Sequence, residues 1–215
     1  MVMEQKELPE GVVLRPLTAA DVPAMARLEQ EIFTQEAWSE DTIAAELASP
    51  WSLYLGLFAE GQELKAAPSE NYEAPSGDYK SKDAINKSRE LEAEPYGSQK
   101  LCESQELKPD PRGSREKRDS QELIAYGGIK LLDEADLMVI TVSTVWRGRG
   151  LGRFLLRALH REAAARNIHR IILEVRASNT PAQQLYLAEG YRKVNVIKNY
   201  YRQPTEDAWL MIRDL

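Results

Sequence analysis

Residues 135–175 read ADLMVITVSTVWRGRGLGRFLLRALHREAAARNIHRIILEV, a run of strand, glycine-rich turn, helix and strand. ADLMVITV and RIILEV are apolar stretches of strand length, and LGRFLLRALHREAAARN is a helical segment lying between them. A strand, a crossover helix and a second strand joined in this way predict two parallel neighbours. The helix packs on one face, and a ligand belongs at the carboxyl ends of the strands. Downstream, TPAQQLYLAE reads as another helix, and YRKVNVI and DAWLMIRDL as two closing strands.

Upstream, VVLRPL reads as a strand, followed by Thr18 and Asp21 at capping-box spacing. The helix ADVPAMARLEQEIF repeats Met25, Leu28 and Ile32 at three- and four-residue intervals, and a second helix, DTIAAELAS, follows the candidate cap Ser39. WSLYLGLFAE and ELIAYGGIKLL are strands that form a meander with ADLMVITV, its first turn expanded by residues 61–120. Glu, Lys, Ser, Pro and Asp dominate that segment, which has too little apolar surface to offset its ordering entropy. It reads as a disordered polar insertion in a hairpin, either simply tolerated or used for docking or regulation. The expected architecture is one α/β domain over residues 1–215 with a mixed sheet.

The 215 residues suffice for one sizeable core. A formal net charge of -6 supplies no basic field for nucleic acid or an anionic membrane. Cys102 is the only cysteine, which excludes an intramolecular disulfide and a cysteine metal cluster. Met1 to Gly11 is polar and no stretch approaches the roughly 20 apolar residues of a membrane span, so the expectation is a soluble cytoplasmic protein.

In the turn, Arg147-Gly148-Arg149-Gly150-Leu151-Gly152-Arg153 removes side chains where a backbone could approach a ligand. Free N–H groups and the positive end of the helix dipole suit a pyrophosphate there. The arginines either add charge-assisted donors or are simply solvated. The segment lacks the P-loop pattern, and its spacing is wrong for a dinucleotide fingerprint, which disfavours a nucleotide triphosphatase or a Rossmann dehydrogenase. Arg-x-x-Gly-x-Gly between a strand and a helix resembles the coenzyme A pyrophosphate motif of the GNAT acetyltransferases. The resemblance implies the GNAT fold with a splayed parallel strand pair, acetyl-CoA as co-substrate, and no metal. It also implies pantetheine contacts from the backbone of Ile140, Thr141 and Val142, and pyrophosphate contacts from Gly148, Arg149, Gly150, Leu151, Gly152 and Arg153.

Strand alternation in RIILEV puts Ile172, Glu174 and Arg176 on one face and Ile171, Leu173 and Val175 on the other. Taken alone, Glu174 is either solvated or paired with Arg176, or it is a functional carboxylate at the strand's end. Asn179 is a candidate N-cap, Pro181 fits the first turn, and Asn179, Gln183 and Tyr186 share one helical face. Tyr186 either packs in the core or faces the opening between the parallel strands. Acetyl transfer to an amine requires a base for the ammonium proton and a donor for the departing thiolate.

LEVRASN, LY, EGY, NYY and DAWLMI, spread over most of residues 136–215, resemble the branch of the family that acetylates the N-terminal alanine of a ribosomal small-subunit protein. EAWSEDTI is similar too, although Ala37 stands where that branch often has proline. By this resemblance Glu174 is the general base, working through water, Asn179 is a cofactor contact, and Tyr186 is the acid that protonates the thiolate. Tyr200 and Tyr201, in a late loop, and Trp38 either line a peptide entrance or pack as loop aromatics. The implied reaction is acetylation of a protein's N-terminal α-amine. The alternatives are acetylation of a lysine or a small amine, and a catalytically silent coenzyme A-binding module.

Overall fold

The computed structural model describes residues 8–33, 37–60 and 121–215. The segment expected to be a disordered insertion, residues 61–120 with Cys102, lies outside them. Among the described residues seven strands form one sheet in the order β1-β2-β3-β4-β5-β7-β6. They are β1 (Val12–Pro16), β2 (Ser52–Glu60), β3 (Gln121–Leu131), β4 (Ala135–Val142), β5 (Arg170–Arg176), β6 (Arg192–Arg202) and β7 (Thr205–Asp214). The helices are α1 (Val22–Phe33), α2 (Glu40–Ala48), α3 (Leu151–Ala165) and α4 (Thr180–Ala188).

The first helix begins later than its sequence pattern predicts. Residues Ala19–Asp21 form a 3₁₀ turn before α1. Pro23 explains this, because without an N–H it cannot donate to the carbonyl of residue 19; the Val22 N–H makes the tighter bond to that carbonyl instead. The Asp21 carboxylate accepts from the Thr18 N–H at 2.9 Å and from Arg15 at 2.6 and 2.9 Å, so the predicted start signal stands. Ser39 caps α2 by accepting from the Thr42 N–H.

β2 and β3 pair from Ser52↔Lys130 out to Glu60↔Gln121, so the residues that flank the segment 61–120 face each other at one rung. In β4, Gly128 of β3 pairs with Val139 but Ile129 pairs with Leu137, which leaves Met138 as the extra residue of a bulge. The bulge switches the alternation of β4. Ala135, Leu137, Ile140 and Val142 join the core under α3, whereas Met138 and Val139 join the core under α1 and α2.

Two cores result, one on each face of the sheet. The first packs Leu155, Leu156 and Leu159 of α3 against Ile171, Leu173 and Val175 of β5. The second packs Met25, Leu28, Ile43 and Trp38 against Tyr54, Phe58 and Tyr126. Each fully buried aliphatic side chain contributes about 1.5–3 kcal/mol relative to exposure, and these two layers fix the strands between them.

β6 and β7 extend further than the sequence predicts and close a hairpin in which Arg202 pairs with Thr205. Tyr200 and Tyr201 therefore lie on a strand, not in a loop. The register shifts between Ile197 and Tyr201, with Asn199 at φ 52°. Asp207 on the opposing strand holds this irregularity by accepting from Lys198 Nζ at 2.6 Å and from the Asn199 N–H at 3.0 Å.

Candidate active site

β4 and β5 are parallel, as the sequence predicts, but they pair only at Ala135↔Ile171 and Asp136↔Ile172. Beyond those rungs the strands diverge. Ile140, Thr141 and Val142 keep their partners Gly127, Tyr126 and Ala125 on β3, and on the β5 side their backbone borders the opening. A strand edge inside a fold is a ready template for an extended ligand with amide groups of its own. The three residues expected to hold pantetheine thus lie along the arm of a fork.

The glycine turn lies at the outer end of that arm. Gly148 and Gly150 have φ of 73° and 84°, a conformation that a side chain would strain, and Gly150 is the N-cap of α3. No side chain caps this helix, so the N–H groups of its first turn point outward. A Cβ on Gly152 would lie 3.7 Å from Ile140 and Val142 and 3.8 Å from Leu185 of α4, which shows that the cradle, the β4 arm and α4 converge. These residues fit a pyrophosphate followed by an extended chain.

The arginines of the turn are held by protein partners. Arg147 Nε donates to the Val142 carbonyl at 3.2 Å, the Arg149 guanidinium lies 4.6 Å from the Trp146 ring centroid, and Arg153 lies 3.2 Å from Glu189. The loop is also tied to α1. Glu31 accepts from the Thr144 N–H at 2.9 Å and the Thr144 hydroxyl at 2.8 Å. Burial would raise its pKa, but these bonds, Ser143 and the nearby Arg147 outweigh that and hold it below the ordinary value.

Glu174 is half-buried on the face of β5 that looks toward α1 and α2, two residues beyond the last parallel rung. Asp136 lies on the same face, because its cross-strand partner Lys130 pairs with Glu46 of α2. The irregularity in β6 aims Tyr200 at this place. Burial first, and then the charges of Glu174 and Asp136, push its phenol well above the ordinary tyrosine value. Tyr201 is buried, donates to the Glu174 carbonyl at 3.3 Å and meets Tyr200 edge-on at 5.0 Å. Arg176 stacks over Tyr201 at 4.1 Å and donates to the Gln203 carbonyl at 3.2 Å, tying the hairpin to β5.

On the other side of the fork, Asn179 caps α4 by accepting from the Ala182 N–H at 3.2 Å. Gln183 Nε2 donates to the carbonyls of Arg176 and Ala177 at 2.8 and 3.0 Å, fastening α4 to the end of β5. Tyr186 is buried on the same helical face, its ring 5.5 Å from that of Tyr191. Glu174 and Tyr186 therefore belong to opposite faces of the sheet, with the fork between them.

One of the aromatic candidates falls outside this constellation. Trp38 is 1% exposed and packs in the core under α1 and α2, so it does not line an open entrance. Its backbone N–H donates to Glu29 Oε2 at 3.1 Å, and the Tyr126 hydroxyl donates to Glu29 Oε1. Sequence reasoning passed over Glu29, although it stands four residues after Met25 on the buried stripe of α1. Burial raises its pKa, and the two hydrogen bonds partly counter the effect. Among the described residues no group of three or more His, Cys, Asp or Glu could hold a metal ion.

Residues 80–191, more than half of the chain, match the profile described as the acetyltransferase (GNAT) family. The chain belongs to the GNAT family. The [ribosomal protein bS18]-alanine N-acetyltransferase of Haemophilus ducreyi is 43% identical over 74 residues, 34% of this chain and 51% of that protein. The chain thus spans about half the length of this curated relative. The crystal structure of the Escherichia coli ribosomal-protein-S18-alanine N-acetyltransferase superposes with a TM-score of 0.61 at 23% identity, over 94% of this chain and 93% of that one. Arabidopsis thaliana NAA60 in complex with acetyl-CoA gives 0.62 at 13% identity, over 95% and 98%. At these identities the two structures establish the GNAT fold and nothing finer.

Proposed function

We propose that this GNAT protein transfers the acetyl group of acetyl-CoA to the N-terminal α-amine of a protein, with a ribosomal small-subunit protein beginning with alanine as the acceptor in the cytoplasm. The observation that carries the reading is the fork: a parallel pair that opens after two rungs, with a glycine cradle at one arm and Glu174 at the other. The relatives named for ribosomal-protein alanine acetylation support the choice of acceptor.

In this reading the first-turn amides of α3 and the glycines Gly148, Gly150 and Gly152 hold the pyrophosphate. The β4 backbone at Ile140, Thr141 and Val142 holds the pantetheine, and Asn179 orders the start of α4 beside it. Acetyl-CoA supplies the acetyl group as a thioester. The acceptor enters from the face of α1 and α2, where Glu174, through water, takes the proton from the ammonium nitrogen so that the free amine can attack. Attack forms the nitrogen–carbon bond, collapse breaks the carbon–sulfur bond, the Tyr186 phenol gives its proton to the sulfur, and the proton shed by the new amide nitrogen passes through solvent to restore the phenol. Holding both substrates in one fork supplies much of the acceleration by proximity.

The test is acetyl transfer from labelled acetyl-CoA to a short peptide beginning with alanine, beside the same peptide with a blocked N-terminus and an internal lysine. Label confined to the free N-terminus is the expected result. Label on the lysine would overturn the acceptor while keeping the chemistry, and label on neither would leave a small amine or a silent coenzyme A-binding module.

A further inference from the structure

Glu189 follows the last residue of α4, and its side chain is only 6% exposed. Its carboxylate accepts a two-pronged grip from Arg157, 2.8 Å from Nε and 2.9 Å from Nη2, and lies 3.2 Å from Arg153 Nε. Its own carbonyl accepts from Arg213 of β7. One residue therefore fastens the end of α4 to β7 and to the first two turns of α3.

The two arginines are not equivalent. Arg153 is in the first turn of α3, immediately beyond the glycine cradle, and its side chain is 51% exposed. Arg157 is one turn further on, 33% exposed, and makes the better geometry. As the C-cap of α4, Glu189 places its carboxylate at the negative end of that helix's dipole, so the attraction that holds it comes from the two arginines. Glu189 satisfies with a carboxylate the same charge that a phosphate entering the cradle would seek.

We propose that Glu189 is an internal counter-anion of the cofactor site: it competes with a bound pyrophosphate for Arg153 and, through Arg157, holds α4 in the position that Tyr186 requires. This rests on the coenzyme A reading above. Two consequences of opposite sign follow. The carboxylate weakens cofactor binding by neutralising a nearby cation, and it raises turnover by fixing the helix on which Tyr186 precedes it by three residues. A residue with a merely structural role would move both quantities in the same direction.

The experiment compares wild type, Glu189→Gln and Glu189→Asp by calorimetric titration with coenzyme A and by acetyl transfer to an alanine peptide at saturating acetyl-CoA. Glu189→Gln is expected to bind coenzyme A roughly two- to fivefold more tightly, the scale of one partly exposed charge pair, and to turn over more slowly. Glu189→Asp keeps the charge and loses the reach, so its affinity stays near wild type while turnover falls. Unchanged or weaker coenzyme A binding by a folded Glu189→Gln overturns the proposal.

If Glu189→Gln does not fold, Arg153→Gln decides, with an expected affinity loss of roughly two- to fivefold and an unchanged melting temperature. Wild-type affinity in Arg153→Gln would remove the competition and the proposal with it. A wild-type protein that does not bind coenzyme A sinks the underlying reading and this one together. A wild type that binds coenzyme A without acetylating the peptide overturns the acceptor alone, and the affinity order of the variants still tests the counter-anion.

Discussion

The two faces of the sheet are built by different means. Under α3 and α4 the strands present mostly aliphatic side chains, and glycines open the cradle at the rim. Under α1 and α2 the core includes a carboxylate, Glu29, at zero exposure, and two more, Glu174 and Asp136, stand half-buried at the fork. At the fork, one face offers a backbone shaped by glycine and the other gathers carboxylates. That division matches the proposed chemistry, in which a long, flexible cofactor is threaded along backbone on one side and a cationic amine is received on the other.

The sharpest way to break this comparison is to remove the proton-handling group from each face in turn. Glu174→Gln and Tyr186→Phe are each expected to lower turnover by about 10²–10³-fold, the range for a single acid or base. Coenzyme A affinity should remain within a factor of about two of wild type, because neither change touches the cradle. Steady-state kinetics with the alanine peptide and a binding titration separate the two quantities. Turnover near wild type in either variant would mean that the face in question plays no part in proton transfer.

Two glycines sharpen the comparison at the level of packing. A Cβ on Gly128 would come within 2.1 Å of the Tyr54 ring, which lies across β3 in the core under α1 and α2. Gly128→Ala must displace a buried aromatic ring, at a cost of about 1–3 kcal/mol or more. A Cβ on Gly152 meets only ordinary contacts at 3.7–3.8 Å, and its φ is not in the left-handed region. Gly152→Ala is therefore expected to gain up to about 1 kcal/mol from helix propensity. Urea unfolding of the pair tests the contrast; equal destabilisation by both would show that the cradle is packed as tightly as the core.

Most of the fold was legible because regular elements announce themselves. β4 runs from Ala135 to Val142 as its apolar run suggested, the caps Ser39 and Asn179 stand where their side chains were expected, and the parallel pair follows from the crossover helix. The site was legible where backbone conformation demanded glycine. It was less so where long side chains chose their partners, because spacing does not reveal that Arg153 turns to Glu189 or that Arg147 folds back on Val142. Tyr200 and Tyr201 looked like loop residues because Asn199 and Pro204 interrupt the strand pattern, and only Asp207 across the hairpin shows how β6 continues through the irregularity. Trp38 stayed open between two readings for a simpler reason: a large aromatic near a helix start serves a core as well as an entrance, and here it serves the core.

The last effect expected concerns His160, the histidine buried on the face under α3 and α4. His160 Nδ1 lies 2.9 Å from Arg213 Nη1, and a guanidinium can only donate, so Nδ1 accepts and the ring proton resides on Nε2, directed at the Tyr191 hydroxyl 2.9 Å away. Burial, and then the charges of Arg213 and Arg157, lower the imidazole pKa from 6.5 to about 3. As the pH falls below 6.5 the unfolded chain takes up a proton that the folded protein refuses. The unfolded state then binds more protons, and stability declines between pH 6.5 and about 3; above pH 6.5 the group contributes no pH dependence. His160→Gln removes the titration, so the stability advantage of wild type over the variant should shrink on acidification by at most about 1.4 kcal/mol per pH unit. Urea unfolding of both proteins at pH 7, 6 and 5 measures that gap, and the carboxylates, common to both chains, cancel in the difference. A gap that stays constant over this range would mean that the imidazole protonates in place, and that the aliphatic face admits charge as readily as the face that carries Glu29.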